Sequence, residues 1–151
     1  QEARNLITIE NDEMSHGLDQ SLMLEKDLAL VLDIHHHWIR DEEYIEPTDD
    51  RVKRVIDSWR GQRPTLHYSY SRDEALAPAD LGDTMHTAMH NMKDLLDKGC
   101  KKQKLRAHSD FYPNTKANNW ALSFGENFDI QAESKGKNLA SEQLYTQSLS
   151  D

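Results

Sequence analysis

The sequence predicts an α/β fold with about four parallel strands and flanking helices. Short apolar runs alternate with longer amphipathic segments, which is the pattern of βα units around a parallel sheet. The chain has 151 residues, enough for one sizeable core, so we expect a single domain over 1–151. Its hydrophobic content is only 36%, against roughly 45–50% in an average globular domain. One explanation is that part of the packing surface belongs to further sequence or to a partner.

Four short apolar runs are the predicted strands of the sheet. In chain order they lie at 6–9, 28–34, 65–69 and 128–133. The second is rich in aliphatic residues and ends in polar ones, as a strand buried in a parallel sheet does. Pro64 stands directly before the third run and marks where that strand begins.

The segments between these runs predict helices. One helix is expected within 17–27. Thr48 is the predicted cap of the next helix, and Gly61 its end. Apolar residues recur at helical spacing between those two limits, at Val52, Val55, Ile56 and Trp59. The last helix is expected at 137–149, after the fourth strand.

The long segment between the third and fourth strands is more varied. Residues 72–82 are predicted to be a loop, and 83–98 a helix that ends at Gly99. Its apolar stripe consists of Met85, Met89, Met92 and Leu96. Two histidines on that helix, His86 and His90, are four residues apart as in zinc pairs, but they alternate with core methionines, which favours a packing role. A short extended segment at 105–108, a polar loop and a helix near 116–124 follow.

The charge of the chain permits a nucleic-acid partner without establishing one. The net charge of −9 argues against such a partner, because Lys and Arg usually drive phosphate binding. Acids that bind divalent cations would be neutralised locally, however. Basic residues also gather around His108, namely Lys98, Lys101, Lys102, Lys104, Arg106 and Lys116. A merely solvated basic surface is the simpler alternative.

Cysteine content and hydropathy predict a cytoplasmic protein. Cys100 is the single cysteine, which excludes an intrachain disulfide and fits a reducing compartment. No apolar run approaches the roughly 20 residues that span a membrane, so no membrane partner is expected. We also expect no signal peptide at Gln1.

Carboxylate and imidazole side chains occur where the predicted strands end. Glu10 closes the first strand, Asp33 the second and Glu133 the fourth, while His67 lies within the third. In a parallel barrel the carboxyl ends of the strands converge on one face. Oxygen and nitrogen ligands together suit Zn²⁺ or Mn²⁺. This repeated strand position therefore predicts a metal site.

Three adjacent histidines follow the second strand, in the sequence Leu-Asp-Ile-His-His-His-Trp at 32–38. Asp33 and His36 have a spacing that lets a strand-end carboxylate and a loop histidine serve neighbouring metals. His35 and His37 are expected to pack behind them. The alternative is a cluster of partly exposed loop histidines without a metal.

Five segments of the chain resemble successive signatures of UV damage endonucleases of the UvdE type. They are 6–12, 32–38, 66–69 with Arg72, 106–110 and 129–135. They occur in family order and span nearly the whole chain. The resemblance implies the C-terminal half of a (β/α)₈ TIM-type barrel, similar to endonuclease IV and more distantly to xylose isomerase. The interval from His67 to His108 then looks like an insertion, helical near 72–103.

The resemblance also implies which residues form the active site. The implied metal ligands are Glu10, Asp33, His36, His67, His108 and Glu133. Among them Glu10 would bridge two metals, and Glu10 with Glu133 would be the catalytic carboxylates. Mn²⁺ is the expected metal, with Zn²⁺, Mg²⁺ or Co²⁺ as alternatives. Weaker candidates for contact with the substrate are Lys135, Tyr68 and Arg72.

The implied activity is DNA repair. Several metals would assist hydrolysis of the phosphodiester 5′ to a UV photoproduct in double-stranded DNA. Family enzymes carry further histidine ligands on earlier strands, and some have a modified lysine where this chain has Thr65. We therefore expect the chain alone to nick DNA weakly or not at all. Its expected partners are the missing N-terminal half of the barrel or a second copy of itself.

Two other functions remain open from the sequence. A metal-dependent sugar isomerase or epimerase of similar barrel architecture would also use the spacing of Asp33 and His36. The basic residues around His108 and the segment that ends at Lys135 favour the endonuclease. A non-catalytic half-barrel, whose exposed sheet edges are covered by association, is the other alternative.

Overall fold

A computed structural model, which describes residues 6–150, shows one sheet of four parallel strands in the order β1-β2-β3-β4. The strands are β1 (Thr8–Glu10), β2 (Ala29–Asp33), β3 (Thr65–Tyr68) and β4 (Asp129–Ala132). Asp33 pairs with His67 in the register of β2 and β3, and His67 pairs with Gln131 in that of β3 and β4. All four predicted strands are therefore present, and the predicted parallel α/β arrangement is confirmed.

Helices connect the strands, because each parallel neighbour must begin at the same end of the sheet. They are α1 (Leu18–Leu22), α2 (Ile34–Asp41), α3 (Asp50–Ser58), α4 (Asp73–Leu76), α5 (Met92–Asp97), α6 (Lys102–Leu105), α7 (Thr115–Leu122) and α8 (Asn138–Ser148). Short 3-10 turns lie at Ala77–Ala79, Gly82–Thr84 and Ser123–Glu126. Within residues 6–150 no helix has the length and apolar character needed to cross a membrane.

The core lies between the sheet and the helices that cover it. Leu30 and Leu32 on β2 are fully buried, as are Val52 and Val55 on the apolar stripe of α3. Burying each such side chain contributes roughly 1.5–3 kcal/mol. The indole N–H of Trp59, just after α3, donates to the backbone oxygen of Leu30 at 2.6 Å. The predicted stripe of α3 therefore fixes that helix against β2.

Side-chain caps set where several helices begin. Asp33 ends β2 and also caps α2, accepting a hydrogen bond from the backbone N–H of His36 at 2.7 Å. Asp49 caps α3 by accepting from the N–H of Arg51 at 2.8 Å, so the prediction of Thr48 as cap was wrong by one residue. A carboxylate at this position also interacts favourably with the helix dipole.

Three predicted local structures between β3 and β4 were wrong. The first is the loop predicted at 72–82, which contains α4. The predicted helix at 83–98 is reduced to α5, because the side chain of Asn91 caps a new helix start by accepting from the N–H of Asp94. His86 and His90 therefore share no helical face. The expected extended segment at 105–108 is mostly α6 and a turn, although His108 forms an isolated bridge with Ser71.

Candidate metal centre

Four of the predicted residues meet at the carboxyl edge of the sheet. Glu10 and Asp33 end β1 and β2, and His67 lies opposite Asp33 on β3. Glu133 follows β4, and its backbone N–H donates to the oxygen of Tyr68 at 2.8 Å, which extends the pairing of β3 and β4. One potential ligand atom from each of the four side chains lies within 4.8 Å of all the others.

His67 lies between two carboxylates of this cluster. Its Nδ1 is 2.9 Å from Glu10 Oε1 and 3.5 Å from Glu133 Oε1. Burial by itself would lower the pKa of His67, but the hydrogen bond with Glu10 and the charges of Glu10, Glu133 and Asp33 outweigh it and raise that pKa. The imidazole is thus held by groups that would share a cation with it.

Asp33 lies at the floor of the cluster and is fully buried. Its Oδ1 caps α2, whereas its Oδ2 is buried without a hydrogen-bond partner in the described structure. Burial raises the pKa of Asp33 to about 7; His36 opposes the rise, and Glu10 and Glu133 add to it. A buried carboxylate oxygen needs a compensating charge or donor, and a divalent cation among these four side chains would provide one. The donor set therefore fits a metal ion.

His36 is the member of the histidine triplet that faces the cluster. Its Nδ1 lies 3.2 Å from the backbone oxygen of Asn11, 3.6 Å from Asp33 Oδ2 and 3.8 Å from Glu10 Oε1. A carbonyl can only accept, so that contact places a proton on Nδ1 and leaves Nε2 with the lone pair when the ring is neutral. Nε2 is 3.6 Å from Glu13 Oε2. A cation beside Nε2 would have Glu13 near it.

The other two histidines of the triplet lie on α2 and pack into the protein, rather than forming the partly exposed loop cluster of the alternative interpretation. Burial lowers the pKa of His35 to about 3, and its Nε2 lies 3.1 Å from the backbone oxygen of Leu105. His37 is buried between Glu43, at 2.7 Å, and Asp41, at 3.1 Å. The expectation that both pack behind the site agrees with this arrangement.

His108 lies beside the cluster but outside the compact group of four. Its ring centre is 6.5 Å from that of His36. Burial lowers the pKa of His108, and the charge of Glu133 partly opposes this. Arg72 holds the segment, since its Nε donates to the backbone oxygen of His108 at 2.9 Å. His36 and His108 thus border one side of the cluster as a pair.

Two residues at the site carried little signal in the sequence. Asn11 is fully buried and joins the ends of β1 and β2, because its side chain accepts from the N–H of Asp33 and donates to the oxygen of Asp33, both at 2.9 Å. Glu13 contacts His36 and pairs with Arg106 at 3.0 Å. Both residues follow β1 in a loop, where no periodicity distinguishes one polar residue from another.

Comparison with known proteins decides the family. A family model described as UV-endonuclease UvdE matches residues 1–151, the whole chain. The chain belongs to the UvdE family. No curated protein and no solved structure matches it. UvdE membership implies endonuclease activity on UV-damaged DNA, and the resemblance of the five sequence segments is thereby confirmed.

The three weaker candidates for substrate contact occupy different positions in this UvdE-family chain. Tyr68 is 1% exposed, and its hydroxyl donates to Asn118 Oδ1 at 2.9 Å. Successive strand residues face opposite sides of a sheet, so Tyr68 faces the core because His67 faces the cluster. That corrects the expectation that Tyr68 contacts DNA. The side chain of Arg72 is partly engaged by His108, whereas Lys135 is exposed beside the cluster.

Proposed function

We propose that this UvdE-family chain supplies the metal-binding part of an endonuclease that hydrolyses the phosphodiester 5′ to a UV photoproduct. The observation that carries the proposal is that Oδ2 of Asp33 is buried without a hydrogen-bond partner among Glu10, His67 and Glu133. A buried carboxylate oxygen that lacks a hydrogen bond is costly unless a cation compensates it. Family membership supports the choice of DNA as substrate.

Glu10, Asp33, His67 and Glu133 would hold a divalent cation, with His36 and His108 beside it for another. Mn²⁺ is proposed first, because mixed oxygen and nitrogen ligands suit it; Zn²⁺, Mg²⁺ and Co²⁺ are alternatives. The bound cation would supply Lewis acidity to the phosphodiester. The bridging role proposed for Glu10 agrees with its position between His67, at 2.9 Å, and His36, at 3.8 Å.

Side chains of this chain would accept the proton of the attacking water and hold the metal ligands in position. Glu133 borders an open groove together with His108 and Ser134, and its carboxylate would accept the proton of an attacking water. Asp33 fixes the start of α2 through the N–H of His36 and so orients that imidazole. Asn11 holds Asp33 in turn through two backbone contacts. Their rigidity would keep the carboxylates in place for the reaction.

We also propose that the sheet is part of a larger (β/α)₈ barrel, of which 1–151 is one domain with a helical insertion near 72–103. In the described residues β1 and β4 each have a neighbour on one side only. Open edges invite pairing with further strands, and a closed barrel removes them. Near the β1 edge Leu6 is 85% exposed and Ile7 53%. An N-terminal half-barrel would cover both.

The endonuclease proposal is tested on a duplex with one photoproduct and a labelled 5′ end. We expect a full-length UvdE-family chain that contains this sequence to nick 5′ to the lesion with Mn²⁺ and to stop when EDTA is added. An undamaged duplex of the same sequence is the control. Failure to nick, together with normal Mn²⁺ binding, would contradict the endonuclease and favour a sugar isomerase.

The half-barrel proposal is tested on residues 1–151 alone. We expect them to bind Mn²⁺ more weakly than the full-length chain, by titration calorimetry, and to nick the damaged duplex poorly. Sedimentation velocity would show whether a second copy associates with the chain instead. Nicking by 1–151 at the rate of the full-length chain would contradict the half-barrel.

A further inference from the structure

An open groove of about 660 Å³ runs along one side of the metal cluster. Three of its lining residues are cationic, namely Lys104, Arg106 and Lys135, and its single acidic residue is Glu13. The whole chain carries a net charge of −9, so this groove is a local basic surface on an acidic protein. Such a reversal of local charge attracts an anionic ligand.

The groove continues past the cluster. A second groove of about 490 Å³ shares His108 and Ser134 with the first and is also bordered by Glu133 and Lys137. Cationic residues therefore border both grooves, and one cluster carboxylate, Glu133, borders the second. An anion that occupied the two grooves would lie beside Glu133 of the proposed metal centre.

Lys104 and Lys135 differ from several other lysines of the chain. Lys53 and Lys93 each pair with an aspartate four residues away, and Lys102 pairs with Glu42 at 2.7 Å. Lys104 and Lys135 form no ion pair within residues 6–150 and are exposed. Their ammonium groups are therefore available to an incoming anion.

Arg106 is the residue that links the groove to the cluster. Its Nη1 donates to Glu13 Oε1 at 3.0 Å, and the side chain of Glu13 is only 10% exposed. The other oxygen of Glu13 lies 3.6 Å from His36 Nε2. A guanidinium fixed at one nitrogen by a largely buried carboxylate is oriented in advance, and its further N–H groups suit a phosphate.

We propose that this groove binds the backbone phosphates of the DNA strand on one side of the scissile bond, through Lys104, Arg106 and Lys135. The proposal rests on the proposed endonuclease function. A polyanion fits better than a single anion, because the cations are distributed along two connected grooves rather than gathered in one pocket. Nucleic acid fits better than an acidic protein segment, because the same grooves reach the cluster at Glu133 and His108.

The test measures binding of a duplex with one photoproduct by fluorescence anisotropy, in EDTA so that no strand is cut. Lys104→Gln, Arg106→Gln and Lys135→Gln are compared with the wild type between about 50 and 200 mM salt. Lys93→Gln is the matched control, because it makes the same charge change at an exposed position of α5, away from the groove. Each groove variant should weaken binding about 3- to 10-fold. It should also lower by about 0.9 the salt slope, which is the steepness with which the logarithm of the binding constant falls with the logarithm of the salt concentration. The control should leave both unchanged.

Salt slopes equal to the control in all three groove variants would overturn the proposal. A polyglutamate peptide bound as tightly as the duplex, and weakened equally by the variants, would overturn it in favour of an acidic protein partner. The endonuclease and the groove can fail separately. Wild-type nicking with unchanged slopes would reject only the groove, whereas lowered slopes without any nicking would reject only the endonuclease.

Discussion

His67 Nδ1 lies 2.9 Å from Glu10 Oε1, although the two residues are 57 positions apart and their strands are separated in the sheet by β2. The contact therefore passes over the end of β2, where Asp33 lies fully buried. Three strands contribute one side chain each to the same small volume. This convergence of side chains from three strands, rather than any one residue, makes the carboxyl edge of the sheet a candidate metal centre.

The first prediction concerns the protonation of His67 in the metal-free protein. Glu10→Gln removes the charge of Glu10, and with it the charge assistance of its hydrogen bond with His67, both of which raise the pKa of His67, so we expect that pKa to fall. NMR titration of the imidazole measures it directly. Glu25→Gln, which removes a carboxylate paired with the distant Arg54, is the control. An unchanged His67 pKa in Glu10→Gln would contradict the contact.

The same contact predicts a pH dependence of stability. A raised histidine pKa stabilises the metal-free fold below the unfolded value of about 6.5, and the gain is lost as pH rises through the folded value. The destabilisation caused by Glu10→Gln should therefore be larger at pH 6 than at pH 9. Urea unfolding at both pH values measures this difference.

Much of the site could be predicted because strand ends are visible in a sequence. The aliphatic runs located Glu10 at the end of β1, Asp33 at the end of β2 and Glu133 just after β4. Because the strands are parallel, these ends lie at the same edge of the sheet, and the side chains meet there. The family could also be named from short segments, each in its expected order. Convergence of the carboxylates therefore followed from topology, without any knowledge of side-chain contacts.

The missed features have local physical causes. Asp33 is both the last residue of β2 and the cap of α2, so no separate turn residue indicated that helix, and His36 was interpreted as a loop histidine. The methionine stripe of 83–98 has a helical period. The side chain of Asn91 nevertheless caps the start of α5, so the helix begins only at Met92. Glu13 acquires its role only through contacts with His36 and Arg106, which no local pattern encodes.

A second prediction follows from the buried charge of Asp33. Because burial raises its pKa to about 7, the metal-free fold loses stability as pH rises from about 4 toward 7. Asp33→Asn keeps a good helix cap but removes the charge. We expect a higher melting temperature than wild type at pH 8 without metal, and a loss of at least about 10- to 100-fold in Mn²⁺ affinity.

Thermal melts at pH 8 with and without Mn²⁺ check this outcome. Asp49→Asn is the matched control, since Asp49 also caps a helix but is paired with Arg51, which lowers its pKa. The control should gain no stability at pH 8 and should keep its response to Mn²⁺. A wild-type response to Mn²⁺ in Asp33→Asn would show that Asp33 is no ligand.

A third prediction concerns Asn114, which ties the segment before α5 to α7. Its Oδ1 accepts from the N–H of Ala117, and its Nδ2 donates to Tyr70 Oη at 3.0 Å and to the backbone oxygen of Ala88 at 2.8 Å. Asn114→Ala should cost about 2–4 kcal/mol, because the cap is lost and buried acceptors lose their donor. Asn91→Ala, an exposed cap of α5, should cost about 1 kcal/mol. Equal urea midpoints for the two variants would contradict the prediction that the buried Asn114 stabilises the fold more than the exposed Asn91.

The last prediction concerns Gly136, in the loop that follows Glu133. A Cβ at this position would lie 2.4 Å from the backbone oxygen of Asp110, which accepts from the N–H of Gly136 at 2.8 Å. Gly136→Ala must therefore move the loop away from 109–110 and should lower the free energy of unfolding by about 1–3 kcal/mol.

Gly125→Ala is its control, since a Cβ there would be 3.9 Å from Ile130 Cδ1, an ordinary contact, and should change stability by no more than about 0.5 kcal/mol. Because the loop also positions Glu133 and Lys135, Gly136→Ala should weaken Mn²⁺ binding as well, whereas Gly125→Ala should not. Urea unfolding and Mn²⁺ titration of both variants separate a local clash from a general intolerance of added methyl groups. A Gly136→Ala protein as stable as Gly125→Ala would mean that the loop lies farther from Asp110 than the structure places it.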